Sequence, residues 1–185
     1  MGSTSQKVVW VAIIKNLNLN CDISFKVEFL FEVFSKMCLG TTTMTMQEKQ
    51  RILENEFEAI SSWEDRYNKI IQMGKALPPV DEKIKHSANL VQGCQSQVWI
   101  VLTTSQNGSI HIEADSDALI VKGLLSLVLK IYNDSTPQEI LSTPPSFLKN
   151  LGLDSHLSPS RANGLRAMIQ KIIMLSLQEM NKQKS

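Results

Sequence analysis

Cysteine is the residue type in this chain best suited to covalent chemistry, and its sequence neighbours single out Cys94. A thiolate is a nucleophile and a sulfur carrier, and a free cysteine has a pKa of about 8.5. Gly93 precedes Cys94 and allows unusual backbone angles. Gln95 and Ser96 follow it and can donate hydrogen bonds to a thiolate. The alternative is an inert cysteine that packs as a small apolar side chain.

Metal and hydrolase chemistry have weaker support. The possible soft ligands are dispersed along the chain: Cys21, Cys38, Cys94, His86, His111 and His156. Structural zinc needs four clustered ligands, typically with a short Cys–Cys spacing that is absent here. A Cys–His hydrolase with His111 or His156 as the base is the alternative enzyme. His111 alternates with isoleucines, so we expect it to face out of a sheet, and we expect His156 in a connecting loop.

Two charged segments need an explanation. Asp115-Ser116-Asp117 precedes an apolar helical pattern, so we predict that it caps that helix, with a metal-binding or catalytic carboxylate pair as the alternative. Arg161 falls in the first turn of the last predicted helix, where the helix dipole disfavours a cation. It is either a solvated side chain or a partner for an acid or a thiolate. Neither glycine-rich nucleotide-binding motif occurs.

Composition excludes several partner classes. The 185 residues carry a formal net charge of +1, so there is no basic field to attract nucleic acid. No apolar run approaches the roughly 18 residues of a membrane span. The three cysteines include no CxxC pair, which favours free thiols in a reducing compartment, the cytoplasm. The short apolar run Val8–Ile14 lacks a signal-peptidase site after it.

The chain divides into an extension and a domain. We predict that residues 1–43 are an N-terminal extension of unknown role and that residues 44–185 form the functional domain. The stretch Phe25–Met37 mixes strand and helix spacing, whereas clean helical spacing starts after Met44 and Met46. We therefore expect the native start at one of these two methionines. An ordinary terminal helix is the alternative.

Helical patterns flank the centre of this domain. The predicted helices are Gln47–Ile60 (with Ile52, Leu53, Phe57 and Ile60 on one face), Trp63–Gly74 (capped by Ser62 and stopped by Gly74), Ala118–Tyr132, Pro137–Leu141 (with a Thr136–Glu139 capping box), Phe147–Leu151 (ended by Gly152) and Pro159 to about Met180. The helix Ala118–Tyr132 is apolar nearly all round, so we expect it to be buried. Residues 80–93 are predicted to form an irregular connection.

A β-hairpin is predicted between these helices. Gln95–Thr103 and Ser109–Ala114 alternate in strand period, and Asn107-Gly108 between them is a strong hairpin signal. Cys94 therefore lies in a loop just before the first strand. This hairpin leaves space for a third strand. A small antiparallel sheet covered by helices predicts an α+β domain.

The residues around Cys94 resemble the SufE family. The matching segments, which cover about residues 47–178 in order, are Trp63-Glu64-Asp65-Arg66-Tyr67, Gly74-Lys75-Ala76-Leu77-Pro78, Val91-Gln92-Gly93-Cys94-Gln95-Ser96-Gln97-Val98-Trp99, Ala114-Asp115-Ser116-Asp117-Ala118, Val121-Lys122-Gly123-Leu124, Thr136-Pro137-Gln138-Glu139-Ile140 and His156-Leu157-Ser158-Pro159-Ser160-Arg161 with Asn163-Gly164-Leu165. The Gly-Cys-Gln-Ser-Gln-Val-Trp block is specific by itself. Residues 1–43 match no part of the family pattern.

The resemblance implies a function in iron–sulfur cluster assembly. It implies a SufE/IscU-like fold in which Cys94 accepts persulfide sulfur from a SufS- or CsdA-like cysteine desulfurase and stimulates that enzyme. The sulfur would pass to an iron–sulfur scaffold of the SufBCD type. The pyridoxal phosphate belongs to the desulfurase, so this chain is expected to bind no cofactor of its own. SufE and its CsdE-like paralogues share these motifs, so both assignments stay open.

The resemblance also implies supporting roles near the thiol. Asp115 and Arg161 match family positions close to the cysteine loop, and Arg161 is expected to stabilise the thiolate. Gln95 and Ser96 belong to the same matching block. The alternative function is a binding partner that regulates the desulfurase without carrying sulfur.

Overall fold

The structure, a computed structural model, describes residues 44–182, and these form seven helices and a two-stranded sheet. In chain order the elements are α1 (Met46–Glu58), α2 (Trp63–Lys75), β1 (Val98–Thr104), β2 (Ile110–Ser116), α3 (Leu119–Tyr132), α4 (Pro137–Ser142), α5 (Phe147–Asn150), α6 (Leu153–His156) and α7 (Pro159–Lys182). The predicted α+β class is confirmed. The predictions for residues 1–43 lie outside the described residues.

The hairpin forms at the predicted place, with a shorter first strand and a second strand that extends two residues further than predicted. β1 and β2 are antiparallel, with Val98 opposite Ser116 and Thr104 opposite Ile110. β1 begins three residues later than predicted because residues 95–97 belong to the loop that carries Cys94. In the described chain the predicted third strand reduces to a single bridge between Leu90 and Trp99. The connection before it contains two 3-10 turns, Glu82–Ile84 and Ser87–Asn89.

Helix α3 is the buried centre of the fold, as its apolar sequence predicts. It packs against α2, β2, α1 and α7. Its closest approach is to α2, where a Cβ atom on Gly74 would lie 2.5 Å from the backbone nitrogen of Gly123. The prediction that Gly74 stops α2 is therefore wrong, because the helix continues to Lys75 and Gly74 serves the close contact between helices.

Capping residues begin two helices where the sequence places them. Ser62 accepts a hydrogen bond from the Asp65 backbone N–H at 3.0 Å. Thr136 likewise accepts from the Glu139 N–H at 3.2 Å. The capping box predicted for α4 is only half formed, because the Glu139 carboxylate instead accepts from the backbone N–H of Met46 at 2.5 Å. This contact ties the start of α1 to α4.

The buried face of α1 differs in part from the prediction. Leu53 and Phe57 are buried as expected, but Ile52 is 44% exposed and Ile60 is half-buried. Gln50 takes an inward position and is 3% exposed. Its amide forms hydrogen bonds to the backbone of the α4–α5 connection, which compensates for its burial. Apolar periodicity cannot identify a buried polar side chain of this kind.

The segment after α4 contains one helix more than predicted. The helix starting at Phe147 ends at Asn150, and Gly152 precedes the short helix α6. His156 lies at the end of α6 and not in a loop. The long last helix is confirmed and extends to Lys182. None of the helices among residues 44–182 is long and apolar enough to cross a bilayer.

Candidate functional site

Residues 91–97 form a closed loop that carries Cys94. The Val91 N–H donates to the Val98 carbonyl at 2.8 Å and joins the two ends of the loop. Gly93 has a φ of +89°, a conformation that strains any residue with a side chain. A Cβ atom on Gly93 would lie 3.7 Å from the Cβ of Ala167, so the loop rests against α7.

The end of β2 holds the downstream side of this loop through Gln97. The Gln97 N–H donates to the Asp117 carboxylate at 3.0 Å. The Gln97 carbonyl accepts from the Ser116 hydroxyl at 2.9 Å and from the Asp117 N–H at 3.2 Å. Three hydrogen bonds therefore fix the point at which the loop enters β1.

The Cys94 sulfur packs against Gly164 of α7. The thiol donates to the Gly164 carbonyl, with a sulfur–oxygen distance of 3.5 Å. A Cβ atom on Gly164 would lie 3.4 Å from the sulfur, so the glycine leaves room for the side chain. Cys94 is half-buried against the core, and this burial raises the pKa of its thiol. The raised pKa favours the protonated, less nucleophilic form of Cys94 near neutral pH.

A cleft of about 410 Å³ opens beside the sulfur. Its wall combines the loop, the start of α3 and the start of α7. The lining residues are Cys94, Gln95, Ser96, Ala118, Ile120, Val121, Leu124, Ser158, Ser160, Arg161, Gly164 and Met168. The thiol therefore faces a partly apolar cleft. The cleft is large enough to hold one additional sulfur atom on Cys94.

Three predicted supporting residues line this cleft. Gln95 is exposed, Ser96 is half-buried, and neither side chain forms a hydrogen bond to the sulfur in the described structure. Arg161 is exposed, and its guanidinium carbon lies 5.8 Å from the centre of the Tyr67 ring. No acidic side chain within residues 44–182 forms an ion pair with Arg161. The structure thus brings Gln95, Ser96 and Arg161 to the cleft of Cys94 without a direct contact to the thiol.

Asp115 lies next to the site in a role that differs from the predicted cap. Asp115 and Ser116 belong to β2, and α3 starts after Ala118 without a side-chain cap. The Asp115 carboxylate pairs instead with Lys122 at 2.6 Å and with Lys85 at 3.3 Å. The capping prediction for Asp115 is therefore wrong, because Asp115 belongs to β2 and its carboxylate pairs with Lys122 and Lys85.

Sequence reasoning missed several residues of the site. Gly164 contacts the thiol and Met168 lines its cleft through the packing of α7, which a local pattern does not reveal. The position of Lys122 could have been recognised from the sequence, because it is the one cation in the first half of a helix that is otherwise almost entirely apolar. Such a side chain needs a buried anion or an exit to solvent. Lys85 had no comparable signal.

The histidines do not assemble with Cys94. His111 is exposed on β2, opposite Thr103. The His156 ring stacks on Trp63 with centroids 4.2 Å apart. Neither ring contacts the thiol, so the described part of the chain contains no Cys–His pair for hydrolysis. Nor does that part contain three or more His, Cys, Asp or Glu side chains grouped to hold a metal ion.

The comparisons with known proteins agree with this architecture. Residues 50–175 match the SufE family, described as an Fe-S metabolism associated domain. The solution structure of a hypothetical protein from Thermus thermophilus is similar, with a TM-score of 0.60 and 19% sequence identity. The match covers 72% of this chain and 96% of that chain, and at this identity it shows the fold alone. Because the family match spans more than half of the sequence, the chain belongs to the SufE family and is associated with iron–sulfur metabolism.

Proposed function

We propose that this chain is a sulfur acceptor that takes persulfide sulfur onto Cys94 from a partner cysteine desulfurase. The observation that carries the proposal is the position of Cys94. It is the free cysteine of the described residues, it lies on a loop with exposed neighbours, and its sulfur opens into a cleft. Membership of a family associated with iron–sulfur metabolism supports a sulfur-handling role for this thiol.

The transfer step needs no group beyond the two cysteines. The Cys94 thiolate attacks the outer sulfur of the partner's persulfide, and a new sulfur–sulfur bond forms. The bond between the partner's two sulfurs breaks, and the partner's cysteine leaves as a thiolate. The hydrogen of the outer sulfur stays on it, so Cys94 becomes a persulfide. The pyridoxal phosphate that generates the donor persulfide belongs to the desulfurase, and this chain holds no cofactor in the proposal.

Access to the thiol has to change when the partner binds. Burial keeps the resting thiol protonated, whereas attack needs an exposed thiolate. We therefore infer that docking turns residues 92–96 outward. In this movement the hydrogen bonds of Val91 and Gln97 stay intact and hold the two ends of the loop in place. After transfer, return of the loop places the persulfide in the cleft, where it is shielded from reductants.

Hydrogen exchange tests this movement. We expect exchange at residues 91–97 to change when a SufS- or CsdA-like desulfurase is added. The hairpin turn at residues 105–109, at the other end of β1, serves as the internal control because it is remote from Cys94. Unchanged exchange at residues 91–97 in a saturated complex would contradict the outward movement.

The later steps follow from the same chemistry. A persulfide on a loop is available to a second acceptor, and we propose an iron–sulfur scaffold of the SufBCD type in the cytoplasm. Removal of sulfur from the desulfurase also regenerates its cysteine, which explains how this chain would stimulate the desulfurase.

Intact-protein mass spectrometry tests the acceptor role. The chain is incubated with desulfurase, its cofactor and free cysteine, and we expect a reducible mass increase of one sulfur atom. The increase should be absent in Cys94→Ser and retained in a Cys21→Ser/Cys38→Ser control. No persulfide on the wild type would overturn the proposal.

One observation favours a second candidate, a regulatory partner that carries no sulfur. The Cys94 sulfur is seated on Gly164 and kept as a thiol, as a structural cysteine would be. In that case Cys94→Ser would still stimulate the desulfurase, and the wild type would gain no sulfur.

A further inference from the structure

A partly buried ion-pair cluster lies beside the Cys94 loop. Asp115 is 8% exposed and is the buried acidic residue of the described chain. One carboxylate oxygen accepts from Lys122 at 2.6 Å and from the Ser116 N–H at 2.9 Å. The other oxygen pairs with Lys85 at 3.3 Å. We call Lys85, Asp115 and Lys122 the charge cluster.

Burial of a carboxylate is unfavourable unless its oxygens are paired, and here both are. Burial alone would raise the pKa of Asp115, but the hydrogen bonds from Lys122, Ser116 and Lys85 outweigh it and leave the pKa below its usual value. The carboxylate is therefore ionised near neutral pH. The Asp115 carboxylate caps no helix, so helix capping does not explain why it lies in this cluster.

The three members belong to three segments that surround the Cys94 loop. Lys85 belongs to the connection that leads through Leu90 into the loop, and Leu90 bridges to Trp99 on β1. Asp115 lies directly opposite Trp99 on β2. Lys122 lies in the first part of α3, whose neighbouring side chains line the cleft. One carboxylate thus joins the upstream side of the loop to the sheet and to the cleft wall.

The upstream side of the loop has few other restraints. Downstream, Gln97 is fixed by three hydrogen bonds. Upstream, the backbone restraint is the Leu90–Trp99 bridge, which includes the bond from the Val91 N–H to the Val98 carbonyl, and the Val91 side chain is buried in the core. The tip itself is held by the long hydrogen bond from Cys94 to Gly164. A restraint on the Lys85 segment can therefore influence the resting position of the sulfur.

We propose that the charge cluster is a positioning device that keeps the Cys94 loop closed, with the sulfur on Gly164, until a partner opens it. Loss of the Lys85–Asp115 pair releases the upstream segment and lets the loop open more often. The cluster then sets how well the thiol is protected from small reagents. Its relevance to sulfur transfer rests on the proposed function, whereas the positioning itself does not.

Alkylation of Cys94 by iodoacetamide measures loop opening without any partner. Lys85→Met is the main variant because the Lys85 side chain is 27% exposed and its removal leaves the Asp115–Lys122 pair intact. It also removes the Lys85–Glu82 pair at 2.6 Å, which joins two residues of the same segment and not the segment to the sheet. We expect its alkylation rate at Cys94 to rise about two- to fivefold, the factor that corresponds to losing the partly exposed ion pair between Lys85 and Asp115. Lys85→Arg should restore the wild-type rate. Peptide mapping assigns the label to Cys94.

Glu56 provides the matched control. It also pairs with two lysines of two other elements, Lys69 and Lys130, at 3.4 Å each. It lies on α1 and does not line the cleft. Glu56→Gln should leave the alkylation rate unchanged. A rise in Glu56→Gln equal to that in Lys85→Met would show general loosening and would overturn the proposal, as would an unchanged rate in folded Lys85→Met.

Sulfur transfer with a desulfurase separates this inference from the proposed function. If wild-type Cys94 never gains sulfur while Lys85→Met still speeds alkylation, the proposed function fails and the positioning role stands. If sulfur transfer is normal and alkylation is unchanged in Lys85→Met, only the positioning role fails.

Discussion

Cys94 combines a reactive residue type with an environment that suppresses its reactivity. Its sulfur is half-buried, and its hydrogen-bond partner is a carbonyl oxygen, which accepts from a thiol but cannot stabilise a thiolate. Arg161 lines the same cleft, and its guanidinium lies over the Tyr67 ring. The expected support of the thiolate by Arg161 thus stays a prediction for the docked state.

The pH dependence of Cys94 alkylation follows from this environment. Burial raises the thiol pKa, so the alkylation rate should rise with pH around a midpoint above the value of about 8.5 for a free cysteine. A peptide of residues 91–97 is the matched reference, because it has the same neighbours without the fold. A midpoint in the protein at or below that of the peptide would contradict the burial argument.

Tyr132 offers a second test at a single residue. Its side chain is 0% exposed, its hydroxyl has no hydrogen-bond partner among the described residues, and burial raises its pKa to about 12. Because an unpaired buried hydroxyl is unfavourable by about 1–3 kcal/mol, Tyr132→Phe should keep or raise the free energy of unfolding. Urea denaturation measures this. A loss of stability above about 1 kcal/mol would show that the hydroxyl has a partner.

At the scale of elements, the crossing of α2 and α3 is the most constrained contact. A Cβ atom on Gly123 would overlap the backbone carbonyl and side chain of Ile70, and a Cβ atom on Gly74 would meet the Gly123 backbone. Neither neighbour is the flexible end of a side chain, so the helices have to separate to admit a methyl group.

Gly123→Ala should therefore destabilise the fold although alanine favours helices. The gain in helix propensity is about 1 kcal/mol, and we expect the overlap to exceed it, for a net loss of about 2 kcal/mol or more. Lys130→Ala on the same helix is the control, since its side chain is 50% exposed and should change stability little. Thermal unfolding of both variants measures the difference. Equal stability of Gly123→Ala and the wild type would contradict the tight crossing.

The elements differ in how far their sequence determines them. The hairpin was predictable because strand alternation and Asn107-Gly108 are both local. The start of α2 was predictable because Ser62 bonds three residues ahead. The role of Asp115 was not, since its competing partner Lys85 lies 30 residues away in sequence. The loop that carries Cys94 was predictable from local sequence. The contact between its sulfur and Gly164 was not, because the two residues are 70 positions apart.

At the scale of the whole molecule, the perturbed groups predict how stability varies with pH. The pKa of Asp115 is lowered in the fold, so its contribution is present above its unfolded value of about 3.9 and is lost as pH falls through the folded value. The pKa of Cys94 is raised, so its contribution is present below its ordinary value and is lost as pH rises through the folded value. Stability should therefore be greatest between these limits.

Urea denaturation between pH 2.5 and pH 7 (about the range in which carboxyl groups titrate) tests the acidic side. We expect the free energy of unfolding to fall as the solution is acidified, and to fall less steeply in Asp115→Asn than in the wild type. Asp154→Asn is the control, because it removes an exposed carboxylate that pairs with Arg166 at the surface. The same slope in Asp115→Asn and the wild type would contradict the role given to Asp115.

The hairpin turn has a practical use that follows from its distance to the thiol. Cys94 precedes β1 and Asn107-Gly108 follows it, so the whole of β1, whose seven residues span about 20 Å, lies between the two. Gly108 has a φ of +82°, which strains any residue with a side chain, so the exposed Gln106 beside it is the better attachment point. A fluorophore or short peptide tag placed at this turn would report on partner binding in real time while Cys94 keeps its free thiol.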